Sequence, residues 1–210
     1  SKNYSNKKIA EIAAKIEVDK LKRNIGKQDH YACAIGGLNL FLFEKNEKVN
    51  IKKITLNKSF YKILSDSMYV FFLNKKRDAS YILQSQKKLK KKNILILKDL
   101  KKISLDVFKK LKKIKKKNFL TLFGKNLSKS WLLKVKNNTK VSFSLANRIY
   151  NYAESAGAYG GKLLGAGGGG YFLFLTNISV AKKIEKKTKH VSLLKIDICK
   201  EGTKILYSSN

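Results

Sequence analysis

The chain has 210 residues with 43% hydrophobic content, enough to bury the core of one or two domains, which excludes wholesale disorder. Its 47 lysines and arginines against 14 aspartates and glutamates give a formal net charge of +33, which excludes an acidic protein without naming a partner. Only Arg23, Arg77 and Arg148 are arginines, so the planar fork used in specific phosphate and base recognition is scarce. The charge, spread along a chain without proline, reads as a compositional bias rather than a specific nucleic-acid site.

Between residues 5 and 22, Ile9, Ile12, Ala13, Ile16 and Leu21 recur at near-helical spacing and predict an amphipathic helix that gives way to a loop at Gly26. Residues 38–43 and 49–56 read as two strands joined across the turn at 44–47, and residues 68–73 as a third strand. From Ser80 the pattern turns helical, with Leu100, Ile103, Val107, Leu111 and Ile114 spaced by three and four among lysines. A further helix is predicted from near Phe119 to Trp131. Ser142 is placed to cap another, which carries Leu145, Ile149, Ala153 and Ala156 and stops at Gly157. The last third predicts a strand at Lys162, a glycine loop, a strand at 171–175, a helix at 180–187, and strands near 191–196 and 203–207. There is no repeat and no Pro-rich or Gly/Ser-rich linker, so a domain boundary is expected in a short turn near residue 48.

Cys33 and Cys199 stand far apart with no C-x-x-C pair. This argues against zinc ribbons, redox motifs and a disulfide framework, and leaves two reduced, buried thiols as the expectation. No apolar run approaches the roughly 18–20 residues of a membrane span, and no secretory leader opens the chain, so a cytoplasmic location is expected. A first residue that is Ser rather than Met suggests an upstream segment.

The string GGKLLGAGGGG at 160–170 is the most informative stretch. Glycines this dense expose successive backbone N–H groups that can converge on an anion, and the flanking apolar segments argue against a floppy linker. It is neither a Walker A loop nor a dinucleotide fingerprint, since no G-K-[ST] ends it and its spacing does not open a predicted helix. In the second stretch, GKQDHY at 26–31, Asp29 lies in a Gly-bounded loop among Lys27, Gln28 and His30. Such an aspartate serves either as a turn or helix-cap residue or as a catalytic carboxylate.

The strings GKQDHYACAIGGLNLFLF and GGKLLGAGGGGYFLF together resemble two motifs of the GHMP small-molecule kinases, the G-x-x-D loop and the C-terminal glycine motif. Phe123-Gly124, Ser130 to Lys134 and Arg77 to Ser80 are similar, in order and spacing, to the heptose 7-phosphate kinases within that superfamily. The resemblance runs from residue 5 to about 206. It implies an α+β fold and ATP-dependent phosphoryl transfer, with Mg²⁺, to a sugar hydroxyl, most of all the anomeric one of a heptose 7-phosphate. Galactokinase, fucokinase and mevalonate kinase types are the other branches, and a noncatalytic remnant or a basic polyanion-binding module the other classes.

By the same resemblance Asp29 would orient or deprotonate the acceptor hydroxyl, and Gly165, Ala166, Gly167, Gly168, Gly169 and Gly170 would line the phosphate side. Glu17 would help hold Mg²⁺, or else be a solvated helix carboxylate. Lys27, Gly36, Gly37 and Arg77 would meet the substrate. Lys27 would offset charge beside Asp29 or simply be solvated, and Arg77 would grip a sugar phosphate or form a surface ion pair. His30 stands where the family more often has Gln. Trp131 reads as core packing, and His190 is given no role.

The superfamily's N-terminal loop, P-x-x-x-G-L-G-S-S-A, which wraps the ATP phosphates, has no counterpart in this sequence. The expectation is therefore the C-terminal portion of a kinase. Residues 1–48 would be a remnant of the N-terminal domain with the Asp29 loop, and residues 49–210 a ferredoxin-like C-terminal domain with the glycine loop. ATP and a sugar or sugar phosphate are the expected partners, with no specific nucleic acid, no membrane, and the missing N-terminal segment of the same kinase.

Overall fold

The computed structural model describes residues 4–73, 90–137, 144–165, 170–188 and 191–206. Contacts divide the chain into two compact units, Ser1–Thr55 with Ile198–Asn210, and Leu56–Asp197.

The first unit opens with α1 (Asn6–Ala14), started by Ser5, whose hydroxyl accepts the Lys8 N–H at 3.3 Å. Here the structure departs from the single helix predicted to residue 22. From Lys15 to Lys20 the chain widens into a π-helical turn, and the Leu21 N–H reaches the Ile16 carbonyl five residues back at 2.9 Å. The wider turn rotates the apolar stripe out of phase, which leaves Ile16 and Leu21 exposed although their spacing marked them as inward.

Next comes α2 (Gln28–Ile35), a helix where the sequence predicted a loop around Asp29. Its eight residues are too few for a periodic signal, and only Tyr31 and Ala34 turn into the small core with Ala10 and Val49. Cys33 lies off that face and is exposed, as is Cys199, so neither thiol is buried as expected. The hairpin β1 (Asn39–Phe43) and β2 (Val49–Lys53) pairs antiparallel in the register Asn39 to Lys53 and Phe43 to Val49. The expected strand at 203–207 does not form over the described residues 203–206. Their backbone is committed elsewhere: the Thr203 N–H donates to the Ala34 carbonyl at 3.1 Å, and Ile205 and Leu206 are exposed.

In the second unit α3 (Lys58–Ser67), a helix not predicted, is capped by Asn57, whose side chain accepts the Phe60 N–H at 3.0 Å. It leads into β3 (Met68–Phe72), followed after the undescribed stretch by α4 (Lys90–Leu111), a 3-10 turn (Lys116–Asn118), α5 (Phe119–Asn137) and α6 (Ser144–Ser155). The expected Ser142 cap lies outside the described residues. So does the predicted helix start at Ser80. Then come β4 (Gly160–Leu163), β5 (Tyr171–Leu175), α7 (Ile178–Lys187) and β6 (Ser192–Lys195). All neighbours pair antiparallel in the order β4-β5-β3-β6, so β4 is an edge strand.

The core is the sheet face carrying Phe71, Leu163, Phe172 and Phe174. It is covered by Trp131 of α5, by Ala146, Ile149, Tyr150 and Ala153 of α6 at the i, i+3, i+4, i+7 spacing of a buried helical face, and by Ile184 of α7. Trp131 is 1% exposed and meets Phe172 edge-on at 5.2 Å, in the packing role expected of it. It does not end its helix, because Val135 one turn on still packs against this core and carries α5 to Asn137. Ile149→Val should cost about 0.5–1.5 kcal/mol in urea unfolding, since it empties one methyl from a fully enclosed site. No helix among the described residues is long and apolar enough to cross a membrane.

Candidate active site

In the first unit, Lys27 occupies the N-cap position of α2 and Asp29 its first turn. The Asp29 carboxylate is exposed, and no hydrogen bond or ion pair from a described residue engages it. A negative charge there meets the positive end of the helix dipole. Lys27 does not stand as the counter-charge of Asp29. Its ammonium pairs with Glu47 across the hairpin turn, and that hydrogen bond, more than anything else, raises its pKa above the ordinary lysine value. Ile25, Gly26, Lys27, Gln28, Phe43 and Glu47 line a cavity of about 420 Å³, a size suited to a small polar ligand.

Glu17 lies on the π-helical turn and is held on both sides. Its Oε2 is 2.7 Å from His30 Nε2, and its Oε1 accepts from Arg23 at 3.3 Å. The extra residue of a π turn re-aims side chains, and such turns recur at functional sites. His30 is nearly enclosed, and its Nδ1 is buried without a hydrogen-bond partner among the described residues. As held, Glu17 does not fit a Mg²⁺ ligand, because a metal would have to displace one donor and one cation. No group of three or more His, Cys, Asp or Glu among the described residues is placed to hold a metal ion.

Gly36 and Gly37 end α2 with φ of +67° and +69°, a region that favours glycine. A Cβ on Gly36 would lie 2.3 Å from the Glu201 backbone, and the Gly37 N–H donates to the Cys199 carbonyl at 2.7 Å. Both glycines thus receive the returning C-terminal segment, a structural duty that their motif did not disclose.

In the second unit, β4 and β5 bring together the two ends of the glycine string. The Leu164 N–H donates to the Tyr171 carbonyl and the Leu73 N–H to that of Gly170, both at 2.9 Å. Gly165 and Gly170 take φ of +63° and +88°. Ala166, Gly167, Gly168, Gly169 and Arg77 lie outside the described residues.

Helix α5 runs along β4 through three contacts. Gly124 meets Tyr159 and Gly160, Ser128 Oγ accepts the Gly161 N–H at 3.2 Å, and Lys134 Nζ donates to the Gly165 carbonyl at 2.7 Å. Burial, aided by the neighbouring charge of Lys162, pushes the Lys134 ammonium down to about 8. Burial likewise lowers Lys162. Sequence reasoning gave neither lysine a role. The available signal was position: Lys162 stands inside an apolar strand and Lys134 one helical turn from Trp131.

Lys134 has a consequence for stability. Its ordinary value is 10.5 and folding lowers it to about 8. The unfolded chain therefore binds more protons between these values, and stability rises as pH climbs through that window. Lys134→Met should gain stability over the parent near neutral pH and lose that advantage toward about pH 9.5, as read by urea unfolding at both. An advantage that does not change with pH would contradict a desolvated ammonium at this position.

Residues 107–190 match the family described as GHMP kinases C terminal. A D-glycero-alpha-D-manno-heptose 7-phosphate kinase of Campylobacter jejuni is 31% identical over 200 residues, covering 93% of this chain and 58% of that protein. The chain thus spans little more than half the length of that relative. Among solved structures, a D-glycero-D-manno-heptose 1-phosphate kinase from Bacteriodes thetaiotaomicron gives a TM-score of 0.63 at 21% identity, over 99% of this chain and 57% of that one. The galactokinase of Lactococcus lactis complexed with galactose gives 0.67 at 16% identity, over 97% and 62%. The expected α+β fold and the resemblance carried by the two glycine-bounded strings are both borne out.

Proposed function

We propose that this chain, whose residues 107–190 match the C-terminal family of the GHMP kinases, works in a sugar kinase. The reaction moves the γ-phosphoryl group of ATP to the anomeric hydroxyl of D-glycero-D-manno-heptose 7-phosphate. The observation that carries this reading is Asp29: an exposed carboxylate at the start of α2 that no described side chain neutralises, next in sequence to residues lining a cavity of about 420 Å³. Phosphoryl transfer asks a protein mainly for positioning and charge stabilisation, and an unengaged carboxylate is suited to orient an acceptor hydroxyl and take its proton. The likeness to a heptose 7-phosphate kinase supports the choice of sugar. ATP and Mg²⁺ belong to the same reading. Bound with ATP, Mg²⁺ would supply charge to the transferring phosphates and, as an ion that keeps several waters, would ask for few protein ligands.

The test is an assay of the chain joined to the N-terminal segment it is expected to need, with ATP and Mg²⁺ against heptose 7-phosphate, galactose and mevalonate, followed by phosphorus NMR of the product. Transfer to the heptose anomeric oxygen is expected. Transfer to galactose or mevalonate instead would move the chain to another branch. Binding of ATP without transfer to any of the three would reject the enzyme reading in favour of a noncatalytic remnant.

A further inference from the structure

Helix α5 carries apolar residues on two faces. Trp131 and Val135 pack into the core, whereas Leu132 is 51% exposed and shares with Lys129, Leu133 and Lys136 the i, i+3, i+4, i+7 spacing of a second helical face. That face meets α4 at a groove of about 390 Å³, whose apolar lining is Ile103, Leu132 and Leu133. Leu95, 62% exposed and two turns before Ile103, continues the apolar stripe along α4. The exposed Lys102, Lys129 and Lys136 flank the groove, and no ion pair among the described residues engages any of the three. Asp99 is the one carboxylate of the lining. Apolar surface left open to water and edged by charge of one sign marks a site of interaction.

We propose that the groove between α4 and α5 docks an acidic amphipathic helix of a partner protein. The lining selects that occupant. Both walls are helices whose backbone groups are spent on their own ladders, so an extended peptide laid in the groove would leave its N–H and C=O groups unpaired, whereas a helix satisfies its own. Ile103, Leu132 and Leu133 take its apolar face. Lys129 and Lys136 stand seven residues apart on α5, about 10.5 Å along the axis, a span that two carboxylates two turns apart on the docked helix would match. Asp99 suits the positive N-terminal end of such a helix, and as a carboxylate it opposes an anionic lipid surface. A second copy fits poorly, because it would bring another chain of net charge +33 against the three lysines. The proposal goes beyond the kinase reading and does not rest on it.

The experiment takes the chain joined to the N-terminal segment it is expected to need and reads the fluorescence anisotropy of a labelled synthetic peptide at physiological salt, which damps the pull of the net charge. The peptide has about 15 residues, roughly four helical turns, with leucines at i, i+4 and i+7 and glutamates on both flanks. A scrambled peptide of the same composition should bind at least about tenfold more weakly. Leu132→Asp should weaken binding of the helical peptide about tenfold, and Lys136→Glu about three- to tenfold. Lys183→Glu, an exposed lysine of α7 outside the groove, makes the same change of charge and should stay within about twofold. Lys136 is exposed as well, so its variant decides the matter if Leu132→Asp does not fold. A scrambled peptide that binds equally, groove variants that match Lys183→Glu, or no binding at about 0.1 mM peptide would overturn the proposal. Binding to phosphatidylglycerol vesicles, without binding of the peptide, that Leu132→Asp abolishes would assign the groove to a lipid surface instead. A dimer in sedimentation that the same variant dissociates would assign it to a second copy.

Discussion

Asp29→Asn is expected to lower the rate of phosphoryl transfer to the sugar by about 10²–10⁴-fold, the usual contribution of a positioned general base. ATP affinity and the unfolding midpoint should remain where they are. The separation follows from the structure. The carboxylate is exposed and makes no hydrogen bond or ion pair with a described residue, so the isosteric amide removes a charge and a proton acceptor without leaving a buried group unpaired. Asn also keeps a polar side chain in the first turn of α2, which limits the change in stability to about 0.5 kcal/mol. Turnover that survives the substitution would remove Asp29 from the reaction, and the argument from the exposed carboxylate with it.

Gly124→Val is expected to destabilise the second unit by about 3 kcal/mol or more, measured as a drop in the urea midpoint. Helix propensity argues the opposite, since glycine inside a helix costs about 1 kcal/mol relative to alanine. The contact decides. A Cβ at Gly124 would lie 2.1 Å from the Tyr159 carbonyl oxygen, and one at Gly160 would lie 2.1 Å from that of Gly124. Both obstacles are backbone, so neither can rotate away, and α5 would have to lift from β4. Gly160→Ala should do comparable harm, because φ there is +143° as well. Lifting α5 would also pull Lys134 from the Gly165 carbonyl. If Gly124→Ala instead raised the midpoint, α5 and β4 could not meet at these glycines.

Long, strongly periodic elements were legible before any coordinates. The hairpin at 39–53, the strands at 68–72 and 171–175, and the helix bearing Ala146, Ile149 and Ala153 follow from alternation or from 3-4 spacing over enough residues to be distinctive. Two helices were not. Helix α2 is bracketed by glycines and buries only two residues, so its pattern reads as a loop, and α3 likewise buries only Leu64 and Ser67. The failure at Ile16 and Leu21 has a different origin. Their spacing is helical, but one π turn changes the phase, and phase is a property of the hydrogen-bond ladder that residue identity does not encode.

The same division runs through the candidate site. Asp29 and the glycine string stood out because residue type and density carry their chemistry directly, as does the family resemblance. Lysine in a lysine-rich chain carries no such signal. Lys134 and Lys162 became distinct only when α5 crossed the end of β4 and desolvated them together, a pairing between residues far apart in sequence. Glu17, Lys27, Gly36 and Gly37 show the converse: their motif positions suggested ligands, and tertiary structure adds partners that no motif disclosed, Arg23 and His30, Glu47, and the returning C-terminal segment. By itself the sequence determined the fold class, the resemblance to the GHMP kinases and the local elements with a marked period, because these depend on short strings and on contacts near in the chain. Tertiary structure alone decided which charges are paired and which glycines are filled by another backbone, since desolvation and steric contact exist only once distant segments meet.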